Sequence, residues 1–90
     1  MDERELLLDG NAAAGLLGEV FTVEMTLART TCGGCGAVRA LGALDAYMHA
    51  PGVVLRCPGC QQVLVRAARA GDRLLLDLQG VRVLGIDLPG

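Results

Sequence analysis

From residue 23 onward, apolar and polar positions alternate in short runs. Val23, Met25 and Leu27 alternate with Thr22, Glu24 and Thr26, and Leu44, Ala46 and Met48 alternate with Asp45, Tyr47 and His49. A period of two puts one set of side chains on each face of a strand, so both runs predict half-buried strands. Val53-Val54-Leu55 is a third short apolar run. Val63–Arg66 and Leu74–Leu78 flank Ala70-Gly71-Asp72, a sequence suited to a hairpin turn. Residues 81–86 read as a last edge strand, and Pro51-Gly52 and Gln79-Gly80 as turns.

Upstream the period changes. Ala13, Leu16, Leu17, Val20 and Phe21 fall at helical spacing, Ala12–Ala14 favour helix, and Asp9 or Asn11 can cap its first turn. The pattern predicts a helix over 9–21. Gly15 and Gly18 each cost about 1 kcal/mol against alanine inside it, which suits a helix with a close-packed neighbour. The chain then divides into an arm and helix, residues 1–22, packed on a β domain, residues 23–90. The two form one folding unit of small β-rich (α+β) class.

Composition sharpens this picture. Ninety residues make one small domain, which buries roughly 60 to 65% of its unfolded surface and commonly needs a staple. The apolar residues are mostly Ala, Val and Leu; Phe21 and Tyr47 are the only aromatics, and thirteen glycines raise the entropy cost of ordering the backbone. The four cysteines are the obvious source of extra stability.

They stand as Thr31-Cys32-Gly33-Gly34-Cys35-Gly36 and Arg56-Cys57-Pro58-Gly59-Cys60-Gln61, two C-x2-C pairs separated by 21 residues. Two residues between cysteines let both sulfurs reach one ion while the backbone turns and aims N–H groups at them. The glycines permit that turn and Pro58 presets one of its dihedrals. Cys32, Cys35, Cys57 and Cys60 together would close a tetrahedral sphere, the mark of structural Zn²⁺, with iron as the other metal such a site takes. Two further readings remain: buried or disulfide-paired couples, and a redox C-x-x-C. The first fits poorly with a reducing compartment. The second usually sits at a helix N-terminus, whereas these pairs lie among strands and glycines.

Two cysteine knuckles, each closing a hairpin and clamped on one ion, make a zinc ribbon. Beyond the knuckles, the segments Leu8-Asp9-Gly10-Asn11-Ala12, Gly18-Glu19-Val20-Phe21, Ala50-Pro51-Gly52-Val53-Val54-Leu55-Arg56-Cys57-Pro58 and Leu76-Asp77-Leu78 cover most of the chain. Together they resemble a family of small bacterial proteins of unknown function with a ribbon-like cysteine pattern. The resemblance implies a zinc-bound β-rich domain with an N-terminal helix, and brings no activity, substrate or partner. One departure is Gln61, where glycine often follows the second pair.

Few function classes survive. The chain has no serine for a Ser-based triad and no lysine for a phosphate loop, so an enzyme is not expected. Its formal charge is −2, and four thiolates with one divalent ion would take it to about −4, the wrong sign for a generic nucleic-acid binder. Arg56, Arg66, Arg69, Arg73 and Arg82 gather in the C-terminal half, but Asp72, Asp77 and Asp87 interleave with them. Arg56 reads equally well as charge balance for the thiolates. His49, the only histidine, reads as a strand-face residue, with Tyr47 and Asp45 on the same face. The acidic start and the lack of a long apolar run argue against a secretory leader and a membrane span, leaving a cytoplasmic location as the expectation. The leading expectation is a zinc-stabilised binding or structural module that meets protein partners, or a second copy of itself, through the 9–21 helix. A nucleic-acid-associated ribbon is the alternative, and a thiol redox protein a more distant one.

Overall fold

The computed structural model describes residues 7–9, 25–49 and 52–87. Eight strands run through them: β1 (Leu7–Asp9), β2 (Arg29–Cys32), β3 (Val38–Ala40), β4 (Asp45–His49), β5 (Gly52–Arg56), β6 (Val63–Ala70), β7 (Arg73–Asp77) and β8 (Val81–Gly85). They form two antiparallel sheets, one of order β1-β4-β5-β6-β7 and one of order β3-β2-β8. Among the described residues there is no α-helix, only two single 3₁₀ turns at Met25–Leu27 and Leu41–Ala43.

Alternation fixes which face of the larger sheet is buried. Register sets Ala46 opposite Leu55 and Leu55 opposite Val65, and likewise Met48 opposite Val53 and Val53 opposite Ala67. These two cross-strand rows form the middle of the core, where Ala46, Leu55 and Val65 are almost wholly buried. Side chains directly opposite on one face pack against each other, so a one-residue slip would turn both rows to solvent.

Each sheet breaks register once, beside a cysteine. Leu55 pairs with Val65 but Arg56 with Val63, which leaves Leu64 as an extra residue in β6. That is why Leu64 and Val65, adjacent in sequence, are both buried. In the smaller sheet, Thr31 pairs with Val83 but Cys32 with Val81, and Arg82 is the extra residue. A bulge bends its strand and re-aims the side chains beside it. Here each bulge lies across from the strand that enters a cysteine pair, β5 in the larger sheet and β2 in the smaller.

One expectation needs correcting, and another falls outside the described residues. The alternation of Val23, Met25 and Leu27 predicts a strand, yet Met25–Leu27 is a 3₁₀ turn closed by the Ala28 N–H on the Met25 carbonyl at 3.1 Å. Met25 and Thr26 point inward and Leu27 is largely exposed, so adjacent residues share the core and the strand pattern fails. The chain has to bend here to deliver β2 to the second sheet. The helix expected over 9–21 lies outside the described residues except for Asp9, which ends β1 opposite Asp45.

Strands β2 and β3 go beyond the sequence reading. Thr30 of β2 is buried with its hydroxyl donating to the Arg39 carbonyl at 3.0 Å, so a polar residue fills a core position at no unsatisfied cost.

Candidate metal centre

The two cysteine pairs occupy equivalent turns. The first joins β2 to β3, and the second joins β5 to β6. In the first, the Gly36 N–H donates to the Cys32 carbonyl at 2.9 Å, and the Cys32 N–H to the Ala37 carbonyl at 2.9 Å. In the second, the Gln61 N–H donates to the Cys57 carbonyl at 2.8 Å, and the Cys57 N–H to the Gln62 carbonyl at 2.9 Å. The residue after each second cysteine is left-handed, Gly36 at φ 76 and Gln61 at φ 65. One backbone solution is thus used twice, once by each sheet.

The loop before β8 binds the sheets together at this point. Gly80 is buried, and its carbonyl accepts the Gly33 N–H at 2.9 Å. A side chain at position 80 would strike the Val63 carbonyl and the Leu64 Cα, so only glycine allows the close approach to β6. Gln62 lies against the opposite knuckle, with its amide packed on Gly33 and Gly34.

Facing turns bring all four sulfurs within 4.8 Å of one another. Cys32 Sγ lies 3.6 Å from Cys60 Sγ, and Cys35 Sγ lies 3.7 Å from Cys57 Sγ. These are not disulfides, whose S–S length is about 2.05 Å. A tetrahedron of thiolates with metal–sulfur bonds of about 2.3 Å has edges of about 3.8 Å, so this donor set fits one tetrahedral metal ion. Each turn contributes a buried cysteine, Cys32 or Cys57, and an exposed one, Cys35 or Cys60.

The backbone prepares the buried sulfurs as anions. Cys32 Sγ accepts the N–H of Cys35 and then that of Gly34, the latter at 3.4 Å, and its pKa is lowered. For Cys57, burial is the largest influence and pushes the thiol up. The N–H groups of Cys60 and Gly59 and the neighbouring thiols outweigh it, bringing the pKa to about 6. At Cys60 the Gln62 N–H favours the thiolate, yet burial and the three other sulfurs prevail and raise the pKa to about 11. Like charges this close cannot all form without a cation among them. A bound metal ion would supply it.

Two arginines flank the cluster. Arg39 of β3 crosses to the second knuckle, where its Nη2 lies 3.4 Å from the place a Cβ on Gly59 would take; that place is 3.6 Å from Cys57 Sγ. Its buried Nε has no hydrogen-bond partner among the described residues. Arg56 instead donates to the Gln61 carbonyl at 3.0 Å and sits over the Tyr47 ring, 5.7 Å from its centroid.

Gln61 is the hub that sequence reading missed. Its Nε2 donates to Asp45 Oδ2 at 3.1 Å and to the Cys57 carbonyl at 3.3 Å, and its Oε1 accepts the Tyr47 hydroxyl at 3.4 Å. Asp45 and Tyr47, expected together on one strand face, therefore meet through Gln61. His49 lies in β4 opposite Gly52. The absence of glycine after the second pair was the available clue to Gln61. Nothing in the local sequence marks Arg39, because its approach to Gly59 depends on how the two sheets face each other.

Fold and site together define a small β-rich protein of two antiparallel sheets whose four cysteines could hold a metal ion. The chain belongs to a family of unknown function, DUF6510, whose family model matches residues 2–89. No curated protein and no solved structure matches it. Among the described residues no helix is long and apolar enough to cross a membrane.

Proposed function

We propose that this protein is a zinc ribbon in which Cys32, Cys35, Cys57 and Cys60 hold one structural Zn²⁺, and that it serves as a binding module without catalytic activity. The observation carrying this reading is the pair of cross-knuckle sulfur separations, 3.6 and 3.7 Å, close to the edge of a zinc–thiolate tetrahedron. Four protein ligands leave no coordination position for water or substrate, which supports a structural role. The N–H groups aimed at Cys32 and Cys57 hold the thiolates in place, and Arg39 offsets part of the remaining negative charge.

Nucleic-acid binding is the weaker role. Arg56 is already engaged with Gln61 and Tyr47, and β6–β7 register sets Arg66 opposite Asp77. Protein contact is the role that remains, in a reducing compartment where the thiols stay free for metal.

Metal analysis of protein purified without added metal tests the reading. One zinc per chain is expected, with loss of the folded circular-dichroism signal on chelation, because binding energy in so small a unit is largely folding energy. Iron in place of zinc would keep the site and change its metal. A folded sample with no metal would overturn the proposal.

A further inference from the structure

Strand β7 is the outermost strand of the larger sheet and, among the described residues, pairs only with β6. Ala70 pairs with Arg73 across a two-residue turn whose Gly71 has φ 66. In such a hairpin the closing pair exchanges both backbone hydrogen bonds, and every second pair repeats the exchange. The backbone groups of Arg73, Leu75 and Asp77 therefore face β6, while those of Leu74 and Leu76 face the edge that no other described strand pairs with. Leu75 is 50% exposed and Leu76 37%. An open edge with exposed leucines is a template for another strand.

The strand reads Arg73-Leu74-Leu75-Leu76-Asp77, with opposite charges at its two ends and leucines between. The geometry points to a second copy of this chain as the occupant, its β7 pairing antiparallel with β7 about a two-fold axis at Leu75. In that register Leu75 meets Leu75 of the partner subunit, and Leu74 meets Leu76 of the partner subunit. Arg73 meets Asp77 of the partner subunit at both ends.

Four features agree with this pairing. The residues whose backbone groups face outward fall opposite each other, so each exchanges both its bonds; a slip by one residue would set outward groups against inward ones. The charged pairs fall at non-hydrogen-bonded positions, where side chains approach most closely. Arg73 and Asp77 have no ion-pair partner among the described residues, Asp77 using Oδ1 to accept the Gln79 N–H at 2.9 Å. A groove of about 250 Å³ lined by Arg66, Ala68, Leu75, Leu76 and Asp77 lies along β6 and β7, and in this register the partner subunit's Leu75 falls on the same sheet face as Arg66, Ala68 and Leu75. Two-fold symmetry then satisfies both ends of the strand with one sequence. The two larger sheets become continuous across the pair. This interface does not depend on which metal the thiols hold.

Light scattering on the metal-loaded full chain tests it, with metal content and circular dichroism recorded for every variant so that damage to the thiol site is read separately. The wild-type chain is expected at twice 9.3 kDa. Asp77→Arg and Arg73→Asp each set like charges at both ends and should weaken dimerisation about tenfold or more. Arg73→Asp leaves the Asp77 contact to Gln79 intact and so checks against local damage. Mixing the two single variants should restore a dimer, because every facing pair is again opposite in charge, and the double variant should dimerise with itself. A wild-type monomer at the highest soluble concentration overturns the proposal. So do single variants that dimerise as tightly as wild type, or a mixture of the two that stays monomeric.

Discussion

In the first knuckle the residue after the second cysteine is Gly36 at φ 76; in the second it is Gln61 at φ 65. Both turns make the same pair of backbone hydrogen bonds to their first cysteine. Gly36 adopts the left-handed conformation freely, and there is open space around the position a side chain would take. Gln61 has a Cβ in a region that costs about 1 to 2 kcal/mol for an ordinary residue. Its side chain offsets that cost by binding Asp45, Tyr47 and the Cys57 carbonyl, while Arg56 holds its own carbonyl. The same geometry is thus reached by permissive backbone in one sheet and by side-chain bracing from β4 and β5 in the other. The braced turn is thereby fixed to the larger sheet.

The largest test of this equivalence is acidification. Cys57 has its pKa lowered from 9.0 to about 6, so the folded chain binds that proton more weakly than the unfolded one. Its thiolate contributes stability in full above pH 9.0; the contribution shrinks as pH falls and is gone below about 6. Denaturant midpoints measured across that window should fall on acidification, and metal should be released as protons compete for the same sulfurs. Cys32 is shifted in the same direction, so Cys32→Ser and Cys57→Ser should each flatten the dependence. A dependence lost in one variant alone would break the equivalence of the two turns.

Next in size is Arg39, which belongs to β3 yet serves the second knuckle. Arg39→Gln removes the positive charge beside Gly59 and should lower metal affinity about tenfold, measured by chelator competition, with Arg39→Lys retaining part of it. Unchanged affinity in both variants would remove Arg39 from the site.

The smallest effects separate strain from bracing. Gln61→Ala keeps the strained backbone and loses the hydrogen bonds, and should cost about 1 to 2 kcal/mol by thermal or denaturant unfolding. Gln61→Gly loses the same bonds but relieves the strain, so it should cost less than Gln61→Ala. Gly36→Ala adds strain with no bracing and should cost about 1 kcal/mol. A Gln61→Gly variant more stable than wild type would show that the bracing does not offset the strain.

Much of the larger sheet was legible in the sequence. Alternation over 44–48, the run at 53–55 and the turn at Gly71 marked β4, β5 and the β6–β7 hairpin because one face of each strand is buried and the other wet. β2 and β3 were not legible: Arg29-Thr30-Thr31-Cys32 has no large apolar residue, and Thr30 earns its core position through a hydrogen bond to a residue nine positions away. Over 25–27 the alternation misled, since a 3₁₀ turn buries neighbours.

For the site, the sequence by itself determined the four sulfurs, their pairing in two tight turns and the glycine after the first pair that permits its left-handed turn. These depend on spacing and on local backbone freedom, which a short segment carries within itself. Tertiary structure alone decided that the two turns face each other from different sheets, that Gly80 locks them together, and that Arg39 lies beside the sulfurs. It also decided that Gln61 is braced by β4. Those contacts join residues far apart in the chain, and their geometry follows from how the sheets pack and where each bulge bends its strand.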